Sequence, residues 1–192
     1  NNDRKSIDRE ITQEALEMVQ NGSALSTDAA TIVYNPTWNK GVVGIVASRL
    51  VEAFYKPTIV LTKSNGFITG SARSVAGFDL YEAIESCADL LENFGGHVYA
   101  AGLTLKEGNL EEFVGRIDKF IAGKITEEML TPMTDIDAKL EFSQITPKFF
   151  RLLKQFQPFG PGNTNPVFLT ENVSDGGNGR KVGAGEIGRA HV

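Results

Sequence analysis

The sequence contains a single cysteine, Cys87, so it cannot form an intrachain disulfide. Disulfides are typical of secreted proteins and rare in a reducing compartment, so their absence favours a cytoplasmic protein. No apolar run approaches the length of about 20 residues that a membrane-spanning helix needs. No basic-then-apolar segment typical of a secretory signal follows Asn1. We therefore expect a cytoplasmic protein that has no membrane partner.

Acidic residues outnumber basic residues in this sequence, by 24 to 19. The formal net charge is −5, which argues against indiscriminate binding of polyanions over the whole surface. Any contact with nucleic acid must therefore depend on a local basic groove made by a few Arg, Lys and backbone groups. The length of 192 residues fits one domain plus part of another, or two small domains.

The hydrophobic pattern predicts a mixed α/β fold. Apolar spacing predicts, in order, a helix at 3–20, a strand at 31–34, a helix at 42–54 and a strand at 58–62. Strand, helix and strand form a βαβ unit, so the two strands should be parallel neighbours. Asn65-Gly66 is a strong hairpin signal, which should return the chain antiparallel through residues 67–73 and give a mixed sheet flanked by helices.

The later part of the chain changes in character. Asp79 should cap a helix that runs to about Phe94, and a strand at 101–105 and a helix at 110–121 should follow. After Gly123 the pattern predicts strands at 135–140 and 166–173 around a helix at 148–156. We expect a boundary near 124–133, followed by a partial β-rich domain.

The string at 95–102, Gly-Gly-His-Val-Tyr-Ala-Ala-Gly, has two interpretations. Paired glycines after a helix are the usual C-terminal cap. Alternatively, they form a turn whose N–H groups bind phosphate, with His97 as a further donor near neutral pH. The small residues Ala100, Ala101 and Gly102 leave room for a flat or bulky ligand. The local residues alone leave both interpretations open.

Four strings, taken in order, resemble the RecJ family of DHH-type phosphoesterases. They are WNKGVVGIVASRL at 38–50, TGSARS at 69–74, GGHVYAAG at 95–102 and PFGPGN at 158–163. The first two resemble segments of RecJ, the third resembles the signature of its DHHA1 domain, and the fourth resembles the start of its OB-fold domain. The resemblance covers roughly residues 1–182.

The resemblance implies a 5′→3′ exonuclease that degrades single-stranded DNA in recombination and repair. It implies a connecting helix at 1–25, a DHHA1 domain at 26–125 and a partial OB-fold domain at 126–185. It also implies a preceding DHH domain that holds two Mn²⁺ or Mg²⁺ ions. The Asp-His-His string does not occur here, and His97 and His191 are the only histidines. We therefore expect no metal ligands in this chain and no hydrolysis by it alone.

In this interpretation the chain positions the substrate phosphate. Arg73 is the expected bidentate clamp, flanked by the hydroxyls of Ser71 and Ser74. His97 would face the metals as an accessory group. The other expected substrate contacts are Gly95, Gly96, Ala100, Ala101, Gly102, Arg49 and Asn39. Asn39 stands where many RecJ sequences have histidine, so no proton transfer is assigned to it. Trp38 either stacks on a base or lies in the core.

Other functions remain open at this point. A small DHH-type oligoribonuclease or cyclic-dinucleotide phosphodiesterase also carries a Gly-Gly-His string, and a non-catalytic nucleotide-binding module is a further possibility. The strings at 38–50 and 158–163 favour RecJ over these. We expect a monomer whose partner is single-stranded DNA. Residues 186–192 equal the translation of a common sequencing-library adapter, so we expect them to be a non-native tail.

Overall fold

The computed structural model of the chain describes residues 2–25 and 29–174, with side chains from residue 6 onward. The chain forms two compact units that divide between Pro132 and Met133. The tail expected at 186–192 lies outside the described residues. Within the described ranges, no helix is both long enough and apolar enough to cross a membrane.

The first unit is built on a five-stranded sheet with the order β1-β2-β3-β5-β4. Its strands are β1 (Thr31–Tyr34), β2 (Thr58–Ser64), β3 (Phe67–Arg73), β4 (Leu91–His97) and β5 (Ala100–Leu105). Strands β1 and β2 are parallel, and every other neighbouring pair is antiparallel. Helix α2 (Val43–Phe54) connects β1 to β2. The predicted βαβ unit and mixed sheet are therefore confirmed.

The turn between β2 and β3 follows from its two residues. Asn65 and Gly66 have φ angles of 53° and 80°. Such positive values are what a two-residue hairpin turn demands, and asparagine and glycine adopt them most readily. The hairpin sets the full register from Thr58 opposite Arg73 to Ser64 opposite Phe67. The hairpin prediction is confirmed.

Helices cover the two faces of the sheet unequally. Helices α1 (Asn2–Gln20) and α2 pack over β1 and β2, with a core that includes Ile11, Ala15, Val33, Val46, Leu50 and Val60. Helices α3 (Leu80–Glu85) and α4 (Leu110–Lys124) pack on the opposite face, with a core that includes Ile59, Leu61, Ile68, Leu103, Phe113 and Ile117. Alternate residues of β1 and β2 therefore enter different cores.

The helix predicted from Asp79 to Phe94 is wrong over its second half. Asp79 does cap α3, because its Oδ1 accepts a hydrogen bond of 3.0 Å from the amide of Glu82. The helix ends at Glu85, a short 3₁₀ turn follows at Ala88–Leu90, and β4 begins at Leu91. Glycine is a poor helix former, and pairing with β5 supplies backbone partners to this glycine-containing segment. A short apolar run does not distinguish the two outcomes by spacing alone.

Cys87 lies fully buried in the core beneath α3 and α4, and burial raises the pKa of its thiol. The thiolate is the reactive form, so both effects protect the side chain. We expect a thiol-specific aromatic disulfide at pH 8 to label the folded chain about 100-fold more slowly than the urea-unfolded chain. The release of the coloured leaving group measures this rate. Equal rates would place Cys87 at the surface.

The second unit is described from residue 133 to residue 174. It contains helix α5 (Pro147–Leu153), followed by a 3₁₀ turn at Lys154–Phe156, and this agrees with the predicted helix. Strands β6 (Ala138–Lys139) and β7 (Phe168–Leu169) pair in parallel but are only two residues long. Side-chain hydrogen bonds join the backbone ones beside this pair: the Asp137 carboxylate accepts from the Val167 amide, and the Thr170 hydroxyl donates to the Leu140 carbonyl. The strands are therefore much shorter than predicted.

Candidate functional site

The sheet face that carries α2 is uncovered over β5 and β4. Helix α2 packs against β2 and β3. Beyond β3, every residue on this face is half-buried or exposed. We call this surface the open face, and it consists of Thr69, Ser71 and Arg73 from β3, Ala100, Gly102 and Thr104 from β5, and Asn93, Gly95 and His97 from β4.

Strand register arranges the open face in three rows. The first row is Arg73, Ala100 and His97; the second is Ser71, Gly102 and Gly95; the third is Thr69, Thr104 and Asn93. Neighbouring strands lie about 4.8 Å apart, so the backbones of Arg73 and His97 are about 10 Å apart. A basic residue therefore stands at each end of the first row, with only a methyl group between them.

A cleft of about 420 Å³ lies between α2 and the β3 edge of the open face. Lys40, Arg49 and Arg73 line it with three positive charges, and Glu52 contributes one carboxylate. We call it the cationic cleft. The hydroxyls of Ser48 and Ser71 also line it. In a chain of net charge −5, this is a local excess of positive charge.

Arg73 is a cation of this cleft without a carboxylate partner among the described residues. Its Nη1 donates to the carbonyl of Ala72 at 2.8 Å. None of the ion pairs among the described residues involves Arg73. A Cβ atom at Gly44 would lie 3.1 Å from Nη2 and 3.3 Å from the Ser71 hydroxyl. Gly44 in α2 thus leaves the space in which the guanidinium and the hydroxyl lie side by side.

Arg49 is held on the cleft wall by helix α1. Its Nη2 donates to the Asp8 carboxylate at 2.7 Å, and its Nη1 donates to the Thr12 hydroxyl at 3.3 Å. The Asp8 side chain is 9% exposed and the Arg49 side chain 38% exposed. Arg49 therefore has a partner on one side and solvent on the other. Its contact with substrate stays a prediction.

Three other residues singled out from the sequence have structural roles. The Ser74 hydroxyl donates to the Phe78 carbonyl at 2.7 Å, and the Asn39 Oδ1 accepts from the Gly41 amide at 2.8 Å in the turn before α2. Neither residue lines the cationic cleft. Trp38 is 4% exposed and donates from Nε1 to Glu14 at 2.7 Å. The core interpretation of Trp38 is confirmed, and base stacking by it is wrong.

The string at 95–102 forms the β4–β5 hairpin and does not follow a helix. Gly95 pairs with Gly102, and Gly96 pairs with Ala101. Successive N–H groups of a strand point to opposite sides, so they do not converge on one anion as a phosphate-binding turn requires. The helix-cap interpretation is therefore wrong, and phosphate binding by this string stays a prediction that a converging turn does not support. His97 stays exposed at the end of β4, and its Nδ1 accepts from the Tyr99 amide at 3.4 Å.

The glycines of this hairpin differ in why they are there. Gly96 has a φ of +152°, and a Cβ there would lie 2.3 Å from the Ala100 carbonyl oxygen. A Cβ at Gly95 would meet no atom within 4 Å, and one at Gly102 would meet only the Gly70 carbonyl at 3.8 Å. The fold requires Gly96 and does not require Gly95 or Gly102. Glycine within a strand often marks close approach by a ligand or another backbone.

Comparison with known proteins identifies the family. The sequence-family model of the DHHA1 domain matches residues 27–123, about half of the chain. The chain belongs to the DHHA1 family. The model of the RecJ OB domain matches residues 136–188. The RecJ-type resemblance of the four sequence strings is thus confirmed.

Individual relatives agree with this assignment. The single-stranded-DNA-specific exonuclease RecJ of Bacillus subtilis is 39% identical over 175 residues, which cover 90% of this chain and 22% of that protein. Structures of Thermus thermophilus RecJ in complex with Mn²⁺ and with Mg²⁺ superpose with TM-scores of 0.75 and 0.73 at 29% identity. They cover 88% of this chain and 24% and 25% of theirs. The chain spans about a quarter of the length of these relatives.

The sequence did not predict several residues of the cationic cleft. Lys40, Gly44, Ile45 and Ser48 line the cationic cleft and were not expected there. One signal was available for Gly44, because a glycine inside a helix costs about 1 kcal/mol and usually has a packing or functional reason. Ile45 fits the apolar spacing of α2, yet it is 41% exposed at the cleft.

Proposed function

We propose that this chain holds single-stranded DNA for a RecJ-like 5′→3′ exonuclease, with a phosphate of the strand in the cationic cleft. The observation that carries the proposal is Arg73, a guanidinium outside the described ion pairs that lies beside the Ser71 hydroxyl. Guanidinium binds phosphate through two parallel N–H donors, and a hydroxyl adds a third. Lys40 and Arg49 supply further positive charge on the facing wall.

The open face offers a path for the strand away from the cleft. The first row continues from Arg73 over Ala100 to His97, a second basic donor about 10 Å away. The second row continues from Ser71 over two glycines, which lie low on the surface. A nucleic-acid strand, with a phosphate at regular intervals, fits two basic residues about 10 Å apart better than a single small anion does. Gly95, Gly102, Ala100 and His97 therefore remain proposed substrate contacts, while Gly96 and Ala101 act through the fold.

The chemistry of hydrolysis is not assigned to this chain. The Thermus thermophilus relative was solved with Mn²⁺ and with Mg²⁺, and we propose the same metals for the complete enzyme. Within the part of the chain that the structure describes, no three His, Cys, Asp or Glu side chains form a cluster that could hold a metal ion. The residues of the cationic cleft and the open face do not fit a metal centre, and we propose that they bind and orient the strand.

A binding panel tests the proposal and separates it from its alternatives. Fluorescence anisotropy would compare a short 5′-phosphorylated oligodeoxythymidine, the same strand with a 5′-hydroxyl, a duplex and a cyclic dinucleotide. We expect the phosphorylated strand to bind about tenfold more tightly than the hydroxyl strand, because one charge-assisted contact is worth that much. Three phosphate contacts would give a slope near −2 for the logarithm of affinity against that of salt.

Two outcomes contradict this function. Preferential binding of the cyclic dinucleotide would favour a cyclic-dinucleotide phosphodiesterase, and equal binding of all four ligands would favour a general nucleotide-binding module. In a parallel incubation with Mn²⁺, we expect the chain alone to leave the strand intact. Degradation of the strand by the purified chain would refute the assignment of catalysis to residues outside it.

A further inference from the structure

A second depression on the open face differs in character from the cationic cleft. It has a volume of about 310 Å³ and shares no lining residue with that cleft. Its floor includes Gly95 and Gly102, and Thr69, Asn93 and Thr104 stand along it. We call these five residues the glycine groove. No residue lining the groove carries a charge.

The floor of the groove is flat because of residues that the fold does not need. A Cβ atom would fit at both Gly95 and Gly102, in contrast to Gly70 and Gly96, where it would lie within 2.8 Å of backbone atoms. Glycine in a strand interior is destabilising by roughly 0.5–1 kcal/mol relative to alanine. Packing within this chain therefore accounts for two of the four glycines, and the other two leave a bare backbone surface facing outward.

Polar groups beside this floor have unused hydrogen-bonding capacity. The Thr69 hydroxyl donates to the Leu103 carbonyl at 3.3 Å and keeps its acceptor lone pairs. In the described part of the chain, the Asn93 amide and the Thr104 hydroxyl make no side-chain hydrogen bond. Asparagine and threonine supply both donors and acceptors without charge. Together they match the edge of a heterocyclic base, which also mixes donors with acceptors.

We propose that the glycine groove receives a nucleobase of the strand whose phosphate lies in the cationic cleft. This rests on the proposed function, since it assigns a second subsite to the same strand. The missing Cβ atoms let a planar ring lie against the backbone. The groove lining is uncharged, so a phosphate should bind at Arg73 in preference to the groove. Ser71 of the cleft and Gly102 of the groove are directly paired across β3 and β5, so the two subsites are within one nucleotide's reach.

Separate titrations of the ¹⁵N-labelled chain distinguish the two subsites. The probes are 2′-deoxyadenosine and thymidine, which carry no phosphate, and inorganic phosphate, which carries no base. We expect at least one nucleoside to shift the amide signals of Gly95, Gly102 and Thr104, and phosphate to shift those of Gly44 and Ser71. If neither nucleoside moves the groove signals, the base subsite is refuted, whatever phosphate does. If phosphate leaves Gly44 and Ser71 unmoved, the proposed cleft function fails instead.

Gly102→Val tests the floor of the groove directly. Its side chain would stand where the ring lies, and we expect loss of the nucleoside shifts and about tenfold weaker binding of single-stranded DNA. The Cβ atom has room, because it would meet no atom closer than 3.8 Å, and the Tm checks that the variant is folded. Gly102→Ala is the milder second variant if valine impairs folding. Gly115→Ala, on exposed α4 surface, is the control and should bind normally. Unchanged binding by folded Gly102→Val would overturn the proposal.

Discussion

Gly96→Ala is expected to lower the free energy of unfolding by on the order of 3–5 kcal/mol. The added Cβ would lie 2.3 Å from the Ala100 carbonyl oxygen and 2.5 Å from the Ala101 Cα. Both are backbone atoms of the paired strand, so neither can rotate away. The φ of +152° adds strain, since side-chain-bearing residues rarely adopt it. Relief requires β4 and β5 to separate at Gly96 and Ala101.

Urea unfolding followed by circular dichroism measures this loss. Gly95→Ala is the matched control, because it makes the same chemical change one residue earlier on the same strand. Its Cβ would meet no atom within 4 Å, so we expect a change within about 1 kcal/mol. If the two variants unfold at the same urea concentration, the hairpin geometry described for Gly96 is incorrect.

Arg73→Ala is expected to weaken the binding of 5′-phosphorylated single-stranded DNA by about 10- to 100-fold. Hydrogen bonds to charged groups contribute roughly 1.5–3 kcal/mol each, and the clamp would lose its bidentate contact. The slope of affinity against salt should become shallower by about 0.7, which corresponds to one phosphate contact on a single strand. Stability should change little, because among the described residues the side chain loses one hydrogen bond, to the Ala72 carbonyl.

Two further variants make the result specific to the guanidinium. Arg73→Lys keeps the charge and loses the fork, so it should bind with intermediate affinity and retain the salt slope. Lys119→Ala removes an exposed cation from α4, which packs on the other face of the sheet, and should bind as the unchanged chain does. Normal affinity of a folded Arg73→Ala variant would remove Arg73 from the site.

Much of the fold could be read from local chemistry. The Asn65-Gly66 turn and the cap at Asp79 were predictable because each depends on the conformational preference of one or two residues. The hairpin that contains 95–102 was not predictable in this way. Leu91 and Phe94 fit a helical spacing. The segment is a strand because it pairs with β5, and local helix propensity does not reveal that pairing.

The candidate site was predictable in part for the same reason. Ser71 and Arg73 are two residues apart on a strand, so the alternation of side chains places them on one face. Ser74 follows the strand end, and its hydroxyl turns to Phe78 instead. The approach of Gly44 and Lys40 depends on how α2 packs against β3, which sequence spacing does not specify.

The first compact unit is longer than the matched DHHA1 domain, because it also contains helix α1. That domain begins at residue 27, whereas the first compact unit includes α1. Asp8 anchors Arg49 on the middle of α2, and Glu14 accepts from Trp38 just before its start. Helix α1 thus holds two residues in place, a cation of the cationic cleft and the tryptophan that precedes α2. A shift of α1 would therefore move Arg49, one of the cations that line the cationic cleft.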